Sequence, residues 1–110
     1  MKVIINKIVP IKGFDAMTVY PFIFARKELD KYVINHEYIH GEQQKELVII
    51  LFYVLYCLEY IIKLCITLNF DRAYYSISFE QEAYYKQNKL NYIRERTHYH
   101  WIKYIFKLWK

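Results

Sequence analysis

The sequence predicts a mainly helical α+β domain, and three observations carry that expectation. β-branched and aromatic residues crowd the first 28 positions, apolar residues take up helical spacing from about Lys31, and Gly and Pro number only 2 each. A chain of 110 residues fits one domain, 1–110, with a modest core of its own.

Residues 1–28 read as a β-ribbon. Val3 to Val9 is β-branched and ends at Pro10, Ile11 to Asp15 supplies turn chemistry, and Met17 to Arg26 reads as a second strand. Pro21 cannot donate to a ladder, so this second strand is expected at a sheet edge, where an extended peptide could pair with it. Helix signals begin near Asp30 and continue through 30–46. A backing helix follows over 47–68, where Leu47 to Leu58 carries no charge.

That apolar run is shorter than the roughly 20 residues a bilayer demands, so no transmembrane segment is expected. Glu59 and Lys63, at i, i+4, are read as a solvent-facing strip of an otherwise buried helix. One straight helix from 31 to 68 would be about 57 Å long, too long for this domain, so a break is expected between Gln44 and Ile50. A third helix over 77–90 has Ser76 or Ser78 as its cap and carries Glu80 and Glu82. The segment 97–110 reads as an amphipathic, basic C-terminal helix.

One motif has chemistry that can be named. His36-Glu37-Tyr38-Ile39-His40 is H-E-x-x-H. On a helix, residues four apart lie one above the other, so both imidazoles can hold one metal ion from a single face. Glu37 sits about 100° round the helix, beside the metal without occupying a ligand position. Two neutral nitrogen ligands, a neighbouring base and an open position are what a hydrolytic zinc site requires. The competing reading is a helix with two surface histidines and a solvated glutamate. A third protein ligand would come from Glu80 or Glu82. These point about 200° apart on a helix, so only one can serve. Gly41, directly after His40, would let another backbone approach closely.

Cys57 and Cys65 are roughly 12 Å apart along a helix, too far for a disulfide within it. They read as buried thiols in a reducing compartment, and no signal peptide is evident, so a cytoplasmic location is expected. The net charge of +5 is spread over singly placed basic residues, and no nucleic-acid partner is expected from it.

The H-E-x-x-H helix, the apolar backing helix and a later helix bearing Glu80-Gln81-Glu82-Ala83 (E-x-x-A) together resemble the gluzincin metallopeptidases. The length is similar to that of the minigluzincins, their soluble single-domain members. The resemblance covers the ribbon to at least Tyr85. It implies one zinc ion per chain held by His36, His40 and Glu80, with Glu37 as general base and acid. It also implies that the strand around Val19, Tyr20 and Phe22 forms a rim against which substrate lies. Two positions depart from the family's pattern. Tyr84 stands where relatives often carry an aspartate, and Glu42 stands where an apolar residue is common.

The expected activity is zinc-dependent endoproteolysis of extended peptide or protein substrates. Tyr84, His98, Tyr99 and His100 are candidates for stabilising the oxyanion. The C-terminal segment could pack on its own domain, fill the cleft and make the enzyme latent, or pair with a neighbour in a homo-oligomer. A different class of function competes with this one: a non-enzymatic, aromatic-rich basic domain. It would meet RNA or an anionic membrane surface through Arg72, Arg94, Arg96, Lys103, Lys107 and Lys110.

Overall fold

A computed structural model describes residues 1–10 and 14–109. Ile11, Lys12 and Gly13, within the expected turn, and Lys110 lie outside the described residues. The fold is α+β and mainly helical, with a small sheet at its N-terminal end.

The sheet holds three strands, β1 (Lys2–Ile5), β2 (Ala16–Val19) and β3 (Phe22–Ala25), in the order β1-β3-β2. β1 runs parallel to β3, and β2 runs antiparallel to it. The stretch expected as one edge strand is thus a hairpin. Pro21 lies in its turn, where a missing N–H costs nothing, and β3 is central. β1 and β2 are the two edge strands. Arg26 N–H donates to Asp15 O across the hairpin at 3.1 Å. Antiparallel pairing alternates, so Ala16 and Thr18 turn their backbone groups toward the open edge.

Helix α1 spans Lys31–Thr67. It starts where expected: the Asp30 carboxylate accepts from Tyr32 N–H and Val33 N–H, both at 2.9 Å. The expected break falls at Val48, at φ 51° and ψ 96°, with no proline to cause it. Two features hold a β-branched residue in this unfavourable region. The preceding Glu46 is clamped by Arg96 and the Tyr99 N–H. Leu47 and Phe52 both enter one core with Ile77, Phe79 and Trp101, although a straight helix would set them about 140° apart.

Asn69 then caps α2 (Phe70–Ser76), accepting from Arg72 N–H at 2.9 Å. The glutamate helix α3 is shorter than expected, Ser78–Lys86. Its cap position is Ile77, and neither serine caps it. Ser78 instead donates from N–H and Oγ to the Glu59 carboxylate, at 2.8 and 2.7 Å. A short α4 (Tyr92–Glu95) leads to a 3-10 helix, His100–Tyr104, in place of the expected C-terminal α-helix. This end packs on its own domain, burying Trp101 and Tyr104. Trp109 rests against Tyr75, Tyr84 and Tyr85.

Three expectations about the backing half of α1 are overturned together. Glu59 and Lys63 face inward, not to solvent, with side chains 14% and 5% exposed. Phe52, Leu55 and Tyr56 pack inward with them, while Ile50, Leu51, Val54, Leu58, Ile61, Ile62 and Ile66 face outward, so the helix is only half covered. Cys57 and Cys65, expected inside, are exposed on that outer face. The charged strip lies on the packed face of the helix, and the expected buried face is divided between core and surface.

Candidate metal centre

His36 and His40 sit one turn apart on α1, and their Nε2 atoms are 3.1 Å from each other. Glu80, in the first turn of α3, brings Oε1 to 3.2 Å from His36 Nε2 and 3.1 Å from His40 Nε2. The three donors form a nearly equilateral triangle, and all three side chains are buried. A tetrahedral zinc ion with ordinary bond lengths separates its donors by about 3.3 Å. The residues present therefore fit such an ion.

The orientation of each donor is built in. His36 Nδ1–H donates to Gln87 Oε1, and His40 Nδ1–H to Gln43 Oε1, both at 2.8 Å. Each imidazole thereby keeps its Nε2 lone pair for the centre. The Gln43 carboxamide is itself fixed, donating from Nε2 to Phe79 O at 3.0 Å and Glu82 Oε1 at 2.9 Å. Asn35 pins the chain around Gln87, donating to Gln87 O at 2.8 Å and Lys89 O at 3.1 Å. Tyr56 donates its hydroxyl to Glu80 Oε2, which leaves Oε1 to the histidines.

The electrostatics agree with a cation site. Burial alone would raise the Glu80 carboxyl, but the imidazoles of His40 and His36 outweigh it and hold it well below the usual range. Burial would lower His40, yet the charge and hydrogen bond of Glu80, with the charge of Glu37, push it up to about 9. Without a metal this cluster favours a proton at His40; a divalent cation supplies the same positive charge.

Glu37 is also buried. Its Oε1 accepts from Thr18 Oγ1 of β2 at 2.8 Å, and the same hydroxyl reaches Glu37 O at 3.1 Å. Donor atoms of His36, Glu37 and His40 all lie within 4.8 Å of one another. Glu37 is near enough to be counted with the ligands, but Glu80 lies closer to both imidazoles and Glu37 is tied to the sheet. Glu82 points away: it accepts from Arg96 Nε at 2.6 Å and Tyr92 OH at 2.8 Å.

These groups face a cavity of about 400 Å³, walled by Ala16, Met17 and Thr18 of β2 and by Phe52, Tyr53 and Tyr56 of α1. A second hollow shares His36, Glu37, Tyr56 and Tyr74 with it and adds Tyr84, Gln87 and Phe70. The result is a cleft with His36 and Glu37 midway.

The other sequence-derived candidates divide. Tyr84 lines the cleft, its ring 4.4 Å from that of His36 and its hydroxyl 3.1 Å from Tyr74 OH. Val19, Tyr20 and Phe22 do not line it; the β2 residues before them do. Tyr20 N–H is occupied by Gln44 Oε1 at 2.7 Å. His98, Tyr99 and His100 are also elsewhere. His98 and the Tyr99 N–H meet Glu46, and His100 sits among Thr97, Tyr92 and Tyr104. No described residue of 97–109 lines either hollow, so the C-terminal segment does not fill this cleft. Gly41 accommodates the Met1 side chain, which an added Cβ would meet at 2.6 Å, and no backbone at the metal side. Of the cations assigned to the competing reading, Arg96 is buried against Glu46 and Glu82, and Arg72 donates to Trp109 O at 2.9 Å. Lys110 lies outside the described residues.

Sequence reasoning missed Thr18, Gln43, Tyr56, Tyr74 and Gln87. Gln43, three residues after His40, and Gln87, seven after Glu80, each carried a signal of helical spacing. Comparison with protein-family models, with curated proteins and with solved structures finds no match to the chain.

Proposed function

We propose that this chain is a zinc-dependent endopeptidase acting on extended polypeptide segments. The observation that carries the reading is the convergence of His36, His40 and Glu80 on one point, 3.1 to 3.2 Å apart, with Glu37 beside them in a cleft. The resemblance to minigluzincins in the H-E-x-x-H and E-x-x-A motifs points the same way.

Zinc bound by His36, His40 and Glu80 would polarise the scissile carbonyl and make water acidic enough to attack it near neutral pH. The Glu37 carboxylate takes the proton from that water and passes it to the leaving amine. Thr18 holds Glu37 in place by donating to Oε1. Tyr84 and Tyr74 remain protonated, because burial raises both phenols, that of Tyr84 to about 12. Their hydroxyls are the donors available to a developing oxyanion. Substrate would add to the open edge of β2 through the backbone groups of Ala16 and Thr18 N–H; Thr18 O is already bonded to Gln44 and Tyr53.

The test pairs metal content with peptide hydrolysis for the wild type and Glu37→Gln. About one zinc per chain in both proteins, with hydrolysis at least 10²-fold lower in the variant, is the expected result. A zinc-loaded wild type that cleaves no peptide in a diverse quenched-fluorescence library would overturn it.

A further inference from the structure

Residues 48–68 are apolar on both faces, and their only charged side chains, Glu59 and Lys63, turn inward beside Phe52, Leu55 and Tyr56. Lys63 Nζ donates inward to Ser76 O at 2.6 Å and Lys107 O at 2.9 Å, and lies 3.4 Å from Glu59. The outer face carries Ile50, Leu51, Val54, Leu58, Ile61 and Ile62, each 48% to 77% exposed. It continues through Ile66 to Leu68, with the thiols of Cys57 and Cys65 between. At 100° per residue these side chains fill about half the helix circumference. No charged side chain interrupts the sector. Only 17% of the most apolar 18-residue window of α1 is buried, where a core helix of a soluble domain is mostly buried.

The width of the sector selects its occupant. One partner helix covers an apolar stripe of about 100°, and a coiled-coil seam is narrower still. Half a circumference is what a lipid phase covers, since acyl chains wrap whatever is presented to them. The other half of the same helix is packed on its own domain through Phe52, Glu59 and Lys63. That arrangement requires the helix to lie in the plane of the surface, not to cross it. The net charge of +5 favours an anionic surface. Of the cations just beyond the two ends of the sector, Lys45 is paired with Glu42 at 2.6 Å and Arg72 follows Asp71, so the overall charge carries this preference. The sector also runs on to the cleft: Tyr53 lines the first hollow, and Tyr60 and Phe70 line the second.

We propose that the outer face of α1 between Ile50 and Leu68 docks this protein, in plane, into the interfacial region of an anionic bilayer. The docking is independent of whether the cleft holds zinc. Cys65 lies on the proposed face and serves as a depth reporter in a Cys57→Ser background.

The experiment is flotation of the full chain with 3:1 phosphatidylcholine–phosphatidylglycerol vesicles, with a bimane on Cys65 and bromine-labelled acyl chains as quenchers. The chain should float, and its bimane should be quenched. Val54→Glu/Ile61→Glu, at two positions already exposed, should lower the bound fraction at least tenfold with circular dichroism unchanged. Should that variant not fold, the quenching decides alone. A chain that stays in the aqueous fraction would overturn the proposal. So would one that floats with bimane unquenched, or a stable dimer that shields Cys65 and ignores vesicles.

Discussion

Gln43 couples His40 to Glu82: its carboxamide accepts the His40 Nδ1–H at 2.8 Å and donates to Glu82 Oε1 at 2.9 Å. A neutral amide thus takes the orienting task that a carboxylate performs at many metal-bound histidines. Gln87 does the same for His36. Tyr84, where the resembled family often has an aspartate, therefore leaves no imidazole without an acceptor.

Removing that acceptor while keeping the volume, as in Gln43→Leu, should weaken zinc binding about 10–100-fold. Competition against a chromophoric chelator measures it. An unchanged affinity would show that His40 needs no such partner.

The two glutamates of α3 should separate cleanly. Glu80→Ala and His36→Ala should abolish stoichiometric zinc in folded protein, because each removes one corner of the donor triangle. Glu82→Ala should retain zinc and instead lose stability, since Arg96 would be left with Glu46 alone. Elemental analysis beside urea unfolding distinguishes the two outcomes.

Arg96 is the cation of a buried cluster, and Arg96→Met should cost about 3–5 kcal/mol in urea unfolding by leaving Glu46 and Glu82 without a counter-charge. Breaking the pair from the acidic side tests the same cluster by pH. Burial raises the Glu46 carboxyl, but its bonds from Arg96 and the Tyr99 N–H prevail and hold it below its ordinary 4.5. A lowered folded value means that Glu46 stabilises the fold above pH 4.5 and loses that contribution as pH falls through the folded value. Thermal midpoints of Glu46→Gln should therefore fall less between pH 5 and pH 3 than those of the wild type.

Lys63→Met removes a buried ammonium and its two charge-assisted hydrogen bonds, leaving the carbonyls of Ser76 and Lys107 with Gln81 Nε2 as their donor. The expected loss is about 1–3 kcal/mol, read by denaturant unfolding. Ser78 continues to satisfy Glu59, so the variant should stay folded, with its outer face and vesicle binding intact.

What the sequence made legible follows from periodicity and its limits. Spacing of four placed His36 and His40 on one face, and the 200° offset between Glu80 and Glu82 left one as a ligand candidate. Periodicity locates a stripe on α1 but not its sign, so Glu59 and Lys63 were assigned to solvent although they face Ser78 and Ser76. Pro21 was equally compatible with an edge strand and with a turn. The break at Val48 was foreseeable from length, whereas its cause, the clamp of Arg96 on Glu46, joins residues 50 apart in sequence. Gln87 caps α3 in helical geometry and, seven residues after Glu80, shares its face, so it reaches His36 from the same side as the carboxylate.

The donor triangle has one more consequence. His40 and Glu80 are 40 residues apart, and both thiols of the chain are free. An ion shared between them would tie off a long loop and so restrict the unfolded chain, as a disulfide does elsewhere. Among the described residues the chain's one cross-link would then be one that a chelator can cut and a metal salt can restore.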